Sequence, residues 1–206
     1  MNKIEFVRDR IFHLVIDKNC KADAYAQLGD YKLRFKDIKE IAGHDDSLPF
    51  QGRLFVGATQ VAFCHNDGWG GDAEVEEEGT TKAQELLDKV MPLLVAEYVE
   101  FRGTKYHYRS LADFSDSLAC FTLECKEIVG YMRKNAKDKV VGIKQEGAFR
   151  TGYIRIFSEH AKYTLASKNY PQPYEGTPLA NAVKRAVKRL EDDGYVVWTG
   201  NIDMII

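Results

Sequence analysis

The sequence predicts an α+β fold, with an antiparallel β-meander near the N-terminus packed against amphipathic helices and further strands and a helix towards the C-terminus. Two observations carry this prediction. Apolar and polar residues alternate along much of the segment from Tyr31 to Glu76, as in half-exposed strands, whereas from Thr81 the apolar residues recur every three or four positions, as in helices. The strands also come as a run instead of alternating with helices, which argues against a parallel βαβ sheet.

The length and composition are those of an ordinary globular chain. It has 206 residues, of which 45% are hydrophobic and 29% are charged, and this excludes disordered, collagen-like and disulfide-scaffold proteins. We expect a single α+β domain over residues 1–206. A subdivision into a meander with helices (1–134) and a smaller C-terminal α+β part (135–206) stays open.

Strands are predicted for most of the chain before residue 80. Residues 3–17 suit either a buried strand or a helix, because their apolar positions fit both periods. A half-exposed strand begins at Tyr31, and a turn follows at 43–47. The remaining strands of the meander are predicted at 50–56, 60–64 and 72–76, with a Gly-rich loop over 65–71.

Helices are predicted next. Thr81 and Gln84 form a capping box before an apolar stripe that reaches Tyr98, and Pro92 predicts either a kink or two consecutive helices. A second box at Ser110 opens the most regular helix, which continues to Met132. The rest is predicted as strands at 140–144 and 152–157, a helix opened by Thr177-Pro178, and a closing hairpin of 195–198 with 202–206.

The charge is unevenly distributed along the chain. The net charge of the whole chain is -2. The first hundred residues have 12 basic and 19 acidic side chains, whereas the remaining residues have 17 basic and 12 acidic ones. The first ten residues contain no apolar core of a secretory signal, and the longest apolar stretch, 90–96, is far shorter than the ~20 residues of a membrane span. We therefore expect a cytoplasmic protein without a membrane partner. Its four cysteines are expected to be reduced thiols at apolar positions.

The Gly-rich loop is the most unusual segment and the first candidate binding site. Its glycines leave backbone N–H groups that can bind an anion, and His65 and Asp67 are candidate acid–base groups of an enzyme. The sequence favours a structural interpretation over these two, in which the glycines supply positive φ angles and Trp69 caps the core. The spacing matches no EF-hand, P-loop or dinucleotide fingerprint. The candidate binding residues are Asn66, Asp67, Gly68, Trp69, Gly70, Gly71 and Asp72.

An acidic run follows the loop. With Asp72, it places five carboxylates in seven residues, including the candidate binding residues Glu74 and Glu76. Such a run is typical of a solvated edge strand that discourages aggregation. The alternative is a surface that mimics phosphates and competes for a basic nucleic-acid groove.

Basic clusters lie in the second half. Lys105, Tyr106 and Arg109 interleave cations with an aromatic ring, which suits phosphate contact and base stacking. A second set steps along one face of the last predicted helix: Lys184, Arg185, Lys188 and Arg189. These clusters make nucleic acid a candidate partner, although no base-reading motif is present. The five histidines have no metal-binding spacing, so neither a metal nor a cofactor is predicted.

Three segments, Lys32–Phe35, Phe50–Gly57 and Ala62–Asp72, form a strand, a hairpin and an Asn-Asp-Gly-x-Gly-Gly turn. This arrangement resembles small uncharacterised proteins of bacteriophages and other mobile elements, over about residues 32–78. The hairpin turn at 57–60 departs from the Gly-Lys type that is usual in the group. No activity is known for these proteins. The resemblance implies an accessory protein, with inhibition of host defence or nucleic-acid handling as hypotheses.

Together these patterns favour a non-catalytic interaction protein that binds a protein partner, and an inhibitor of a host defence or nucleic-acid-handling protein is one form of it. The alternative is an enzyme that acts on a phosphate-bearing nucleotide or nucleic acid through the His65–Asp72 loop. A dimer paired through the apolar C-terminus is also open.

Overall fold

The β-meander is present and is longer than the sequence predicts. The computed structural model describes residues 3–44, 47–136, 139–155, 178–200 and Ile202, without the side chains of Phe101, Arg155 and Pro178. Seven strands form one sheet in chain order. They are β1 (Ile4–Arg8), β2 (Phe12–Ile16), β3 (Ala22–Leu28), β4 (Tyr31–Glu40), β5 (Phe50–Val56), β6 (Thr59–Asn66) and β7 (Glu74–Glu77).

Two differences in this sheet have local causes. Residues 3–17 form two strands, because Asp9 and Arg10 both adopt positive φ angles and turn the chain between them. Strand β3 was not predicted, since it contains three alanines and a glutamine, whose β-propensity is low or neutral. It nevertheless alternates correctly, with Ala26 and Leu28 buried.

The first helix differs from its prediction at both ends. Helix α1 (Thr81–Ala96) is capped by Thr80, whose side chain accepts a hydrogen bond from the N–H of Ala83, so the prediction of Thr81 as the cap is wrong by one residue. Pro92 lies inside this single helix. The helix stops before Tyr98, which begins an unpredicted hairpin of β8 (Tyr98–Phe101) and β9 (Thr104–His107). Its turn residues Arg102 and Gly103 both have positive φ.

The second helix confirms its prediction. Helix α2 (Leu111–Asn135) begins after Ser110, whose hydroxyl accepts a hydrogen bond from the N–H of Asp113. Phe12 of β2 stacks on two of its side chains, Phe114 and Phe121, with ring centroids 6.1 Å and 5.3 Å apart. Helix α1 packs on β6. The meander is therefore packed against amphipathic helices, as an α+β fold requires.

The C-terminal elements form a separate three-stranded sheet. Its strands are β10 (Lys139–Glu146), β11 (Ala148–Arg155) and β12 (Val196–Trp198), in the order β11-β10-β12, and α3 (Pro178–Asp192) precedes the last one. Strand β12 pairs with β10. The segment 202–206, which was the predicted partner of this strand, lies outside the described residues except for Ile202. Thr177, predicted to open the last helix, also lies outside them. One apolar cluster holds α3 to this sheet: Val140, Leu179, Ala180, Val183, Ala186, Leu190, Val197 and Ile202.

The chain divides into two compact units. One comprises Met1–Phe6, Val15–Asp23 and Cys125–Ile206, and the other comprises Val7–Leu14 and Ala24–Glu124. The second unit contains all the candidate residues of the Gly-rich loop, the acidic run and the β8–β9 hairpin.

Three of the four cysteines are buried free thiols, whereas Cys120 is exposed, so the prediction that all four fill apolar positions is wrong for that residue. Within the described ranges, no helix has both the length and the apolar character needed to cross a membrane.

Candidate functional site

The connection between β6 and β7, residues 67–73, is called here the Trp69 loop. It lies on the segment that joins β4 to β5. The N–H of His44 donates to the carbonyl of Asp67 (2.9 Å), and the N–H of Ser47 donates to the carbonyl of Gly68 (3.2 Å). The loop is thus held to a second loop by backbone hydrogen bonds.

Asn66, the last residue of β6, fixes the loop from beneath. Its side chain is 4% exposed and makes four hydrogen bonds. The amide oxygen accepts from the N–H of Gly68 (2.9 Å) and the hydroxyl of Ser47 (3.0 Å). The amide nitrogen donates to the carbonyl of Gly71 and to Asp116, both at 3.0 Å. Every hydrogen-bonding position of this buried amide is occupied. A buried polar side chain whose hydrogen bonds are all made holds the surrounding backbone in one conformation.

Asp116 of α2 completes the network. One carboxylate oxygen accepts from Asn66, and the other accepts from the N–H of Ala73 (2.8 Å). Burial raises the pKa of Asp116 above its ordinary value, the hydrogen bonds from Asn66 and Ala73 oppose that rise, and the charge of Asp72 adds to it. Helix α2 thereby holds both the start and the end of the loop.

The loop also depends on close backbone approach at Gly68. This residue has a φ of +87°, and a Cβ atom there would overlap the carbonyl oxygen of His44 and lie 2.8 Å from its carbonyl carbon and nitrogen. Gly70 has a positive φ of 86° as well. Gly71 differs, since a Cβ atom there meets nothing within 4 Å. The structural interpretation of the glycines therefore fits two of the three.

The loop N–H groups are already used inside the protein. Gly68 donates to Asn66, Trp69 donates to the carboxylate of Asp67 (3.3 Å), and Gly70 donates to the hydroxyl of Ser47 (3.3 Å). An anion cradle needs several N–H groups that point together at the ligand. Most of the N–H groups that would build one here have intramolecular acceptors.

The candidate acid–base residues are placed as follows. His65 is half-buried on β6, and its Nε2 lies 3.5 Å from a carboxylate oxygen of Glu74, its cross-strand partner. Asp67 is exposed and accepts the hydrogen bond from Trp69. Burial raises the pKa of the neighbouring Cys64 thiol to about 11, which keeps this thiol protonated at neutral pH. Among the described residues, no cluster of side chains could hold a metal ion.

Trp69 stands out on the surface of the loop. It is 64% exposed and packs against the ring of His44, with ring centroids 3.3 Å apart. The expectation that Trp69 caps the core is wrong. The positive φ angles at Gly68 and Gly70, on either side of Trp69, turn its ring outwards. A large aromatic side chain is therefore presented to solvent on a loop that hydrogen bonds hold in place.

The acidic run lies beside this loop on β7, the edge strand of the sheet. Glu74 and Glu76 pair with His65 and Phe63 of β6, and Glu77 pairs with Ala62. All three glutamates are exposed, and they are called here the acidic edge. Glu78 differs, because it is half-buried and accepts a hydrogen bond from Gln60. Charged side chains on an edge strand discourage another strand from pairing with it, and these glutamates give the surface next to Trp69 a negative charge.

The residues of the first basic cluster, Lys105, Tyr106 and Arg109, lie in two different parts of the fold. Arg109 is brought to the loop, where its guanidinium lies 3.9 Å from both Asp72 and Asp113. Lys105 and Tyr106 lie instead on the β8–β9 hairpin, with Lys105 above the ring of Tyr98 and Tyr106 exposed. The other cluster, in the other unit, projects from α3 with all its cations exposed: Lys184, Arg185, Lys188 and Arg189.

The residues that sequence reasoning missed are the supports of the loop. Ser47 and Asp116 are 19 and 50 residues from Asn66, and no local pattern connects them to it. His44, against which Trp69 packs, belonged to a predicted turn. Comparison with protein-family models, with curated proteins and with solved structures finds no match.

The raised pKa of Asp116 predicts a pH dependence. Because the folded carboxyl binds its proton more tightly than the unfolded one, its stabilising contribution is greatest below the unfolded pKa of about 3.9 and is lost as the pH rises through the folded pKa. The free energy of unfolding of the wild type, minus that of Asp116→Asn, should therefore increase as the pH falls from neutral. Urea unfolding of both proteins at several pH values measures this difference. A difference that stays constant or decreases on acidification would contradict the assignment.

Proposed function

We propose that this chain is a non-catalytic interaction protein that binds a protein partner through the Trp69 loop and the acidic edge. The observation that carries the proposal is the exposure of Trp69 on a loop that Asn66, Ser47 and Asp116 hold in one conformation. Exposed tryptophans are frequent energetic centres of protein interfaces. A fixed loop also loses little conformational entropy on binding.

The chemistry of this surface favours a partner with a basic groove. The acidic edge would face cations of the partner, while Trp69 would enter an apolar or aromatic cleft between them. Basic grooves of this kind bind nucleic-acid phosphates. An accessory protein of phage or mobile-element type that inhibits a host defence or nucleic-acid-handling protein, acting in the cytoplasm, is the biological form of the proposal that the resemblance of residues 32–78 supports.

The alternative of an enzyme that acts on a phosphate-bearing substrate has less support. Its anion cradle would need the N–H groups of Gly68, Trp69 and Gly70, which have acceptors within the protein. The acid–base pair on which the alternative would depend is His65 beside Glu74.

The test is affinity capture from cells of the source organism, identification of the bound protein, and measurement of its dissociation constant with purified variants. We expect Trp69→Ala to weaken binding by roughly 30-fold or more, because truncation of a central interface tryptophan typically costs about 2 kcal/mol or more. Tyr131→Ala, which removes another exposed aromatic ring, is the matched control and should leave the affinity unchanged.

The acidic edge is tested separately by Glu74→Lys/Glu76→Lys/Glu77→Lys. We expect a slower association rate and a weaker dependence of that rate on salt, as for other electrostatically steered complexes. The exposed triple Glu191→Lys/Asp192→Lys/Asp193→Lys changes the net charge equally and serves as its control. Equal effects of the two triples, or an unchanged affinity of Trp69→Ala, would refute the proposed surface.

A further inference from the structure

The face of the seven-stranded sheet opposite its buried side carries a set of cations that the proposed function does not use. Over residues 32–36 strand β4 alternates, with Leu33 and Phe35 buried and Lys32, Arg34 and Lys36 on the other face. Alternate residues of a strand are about 6.7 Å apart, so the three cations form a row of regular spacing. An extended polyanion with one negative charge per repeating unit would place successive charges against the cations of this row.

Aromatic rings lie next to this row on the neighbouring strands. Phe55 of β5 is directly opposite Arg34, and Phe63 of β6 is opposite Arg53, which in turn is opposite Lys36. Tyr25 of β3 lies 3.6 Å from the ammonium group of Lys32, measured to the ring centre. The corresponding distance between Lys36 and Phe55 is 3.9 Å. All three residues are half-buried, and the ring of Tyr25 is also stacked on His13, with ring centroids 5.0 Å apart, so Phe55 and Phe63 are the rings on which bases would stack.

The charge on this face is polarised across the strands. Lys32, Arg34 and Lys36 lie on β4 and Arg53 on β5, whereas Glu74 and Glu76 lie at the far edge on β7. Arg53 is paired with Asp37 in the bulge of β4. The cations of this face are therefore concentrated on β4, and the two strands β5 and β6 lie between them and the acidic edge.

We propose that this face, called here the sheet platform (Tyr25, Lys32, Arg34, Lys36, Arg53, Phe55 and Phe63), binds single-stranded nucleic acid. The cations of β4 contact successive phosphates, and bases stack on the rings beside them, which is how sheet platforms and single-strand grooves hold nucleic acid without reading its sequence. A single strand is favoured over a duplex because only unstacked bases can reach the rings. An acidic protein would use the cations and leave the aromatic rings without a role. The proposal does not depend on the Trp69 loop.

The experiment is fluorescence anisotropy of labelled oligo(dT) and oligo(rU) of about 15 nucleotides with the full chain. We expect binding whose logarithm falls with the logarithm of salt concentration with a slope of about −2, as for three contacted phosphates on a single strand. Lys32→Glu/Lys36→Glu should weaken binding at least tenfold and flatten this slope by about 0.7 per lost contact. Phe55→Leu keeps the apolar volume but removes a stacking surface, and it should weaken binding about fivefold or more at unchanged slope.

Matched controls separate this site from general attraction to cations. Lys82→Glu/Lys89→Glu changes the same charge on the exposed side of α1 and should change the affinity less than twofold. Trp69→Ala should have no effect, so failure of the platform and failure of the proposed function are distinguishable. Circular dichroism of each variant verifies that it is folded.

Several results would overturn the proposal. They are no binding by the wild type at about 50 mM salt, equal losses in the platform and control variants, tighter binding of a duplex of the same length, and equally strong competition by polyglutamate. Loss of binding in Lys184→Glu/Lys188→Glu, with retention in the platform variants, would also overturn it, because the basic face of α3 would then hold the nucleic acid.

Discussion

Gly68→Ala is expected to lower the free energy of unfolding by about 3 kcal/mol or more and to release the Trp69 loop from its neighbour. A left-handed conformation alone costs an alanine about 1–2 kcal/mol. The added methyl group would in addition overlap the backbone of His44, which cannot move without breaking its hydrogen bond to Asp67. Relief of the overlap therefore requires the two loops to separate.

Gly71→Ala is the control for this experiment. It changes a glycine of the same loop, but a Cβ atom there has open space and the backbone is not in the left-handed region. We expect a change of less than about 0.5 kcal/mol, as for an ordinary surface substitution. Urea unfolding of both variants measures the difference, and the fluorescence of Trp69 reports the release of the loop. Similar stabilities of the two alanine variants would contradict the packing described at Gly68.

The sequence predicted the meander and the long helix well because their signals are local. Strands β4 to β7 show a period of two, and α2 shows a periodic apolar face together with a cap at Ser110. The parts that were missed lack such signals. The alanine-rich β3 has weak propensity, and the β8–β9 hairpin follows α1 so closely that Tyr98 continues the helical period. A stripe of apolar residues shows where a helix can continue, but it does not show where the backbone turns away.

The candidate site was predicted in its composition but not in its organisation. The Gly-rich loop and the acidic run were both recognised. They are adjacent because the loop connects β6 to β7 and the acidic run lies on β7. The role of Asn66 could not be read, since its partners Ser47 and Asp116 are set by the tertiary fold. The exposure of Trp69 was predicted wrongly because a tryptophan near a core strand is usually buried in part, whereas here the glycines on both sides turn it outwards.

The fold changes the interpretation of the uneven charge distribution along the chain. In sequence, the first hundred residues are acidic as a whole. In the fold, cations of this part are collected on one face of β4 and β5, while glutamates are collected on the edge strand β7. The separation runs across the strands of one face, because Lys36, Arg53, Phe63 and Glu76 are opposite one another on successive strands. The two proposed surfaces, one acidic with Trp69 and one cationic with aromatic rings, follow from this sorting and not from net charge.

Asn66→Ala is expected to have the second large effect, a loss of about 3 kcal/mol in the free energy of unfolding. The substitution leaves the N–H of Gly68 and the carbonyl of Gly71 without their side-chain partner, and it removes a hydrogen bond to the half-buried carboxylate of Asp116. Hydrogen bonds to charged groups are the more costly ones to lose. We expect the loop to become mobile, so that Asn66→Ala also weakens partner binding without altering Trp69 itself.

Asn135→Ala is the matched control, because this asparagine is 6% exposed, against 4% for Asn66, and hydrogen-bonds to the Tyr131 carbonyl and to Lys139 near a helix end. It should cost no more than about 1 kcal/mol, since alanine recovers helix propensity there. A double-mutant cycle with Asp116→Ala then isolates the contact between Asn66 and Asp116. We expect the double variant to lose less stability than the sum of the losses in the two single variants. The reason is that either single substitution already removes the contact and leaves the remaining side chain, Asn66 or Asp116, without its partner. Strict additivity would mean that the two side chains support the loop independently, and the network described here would then be wrong.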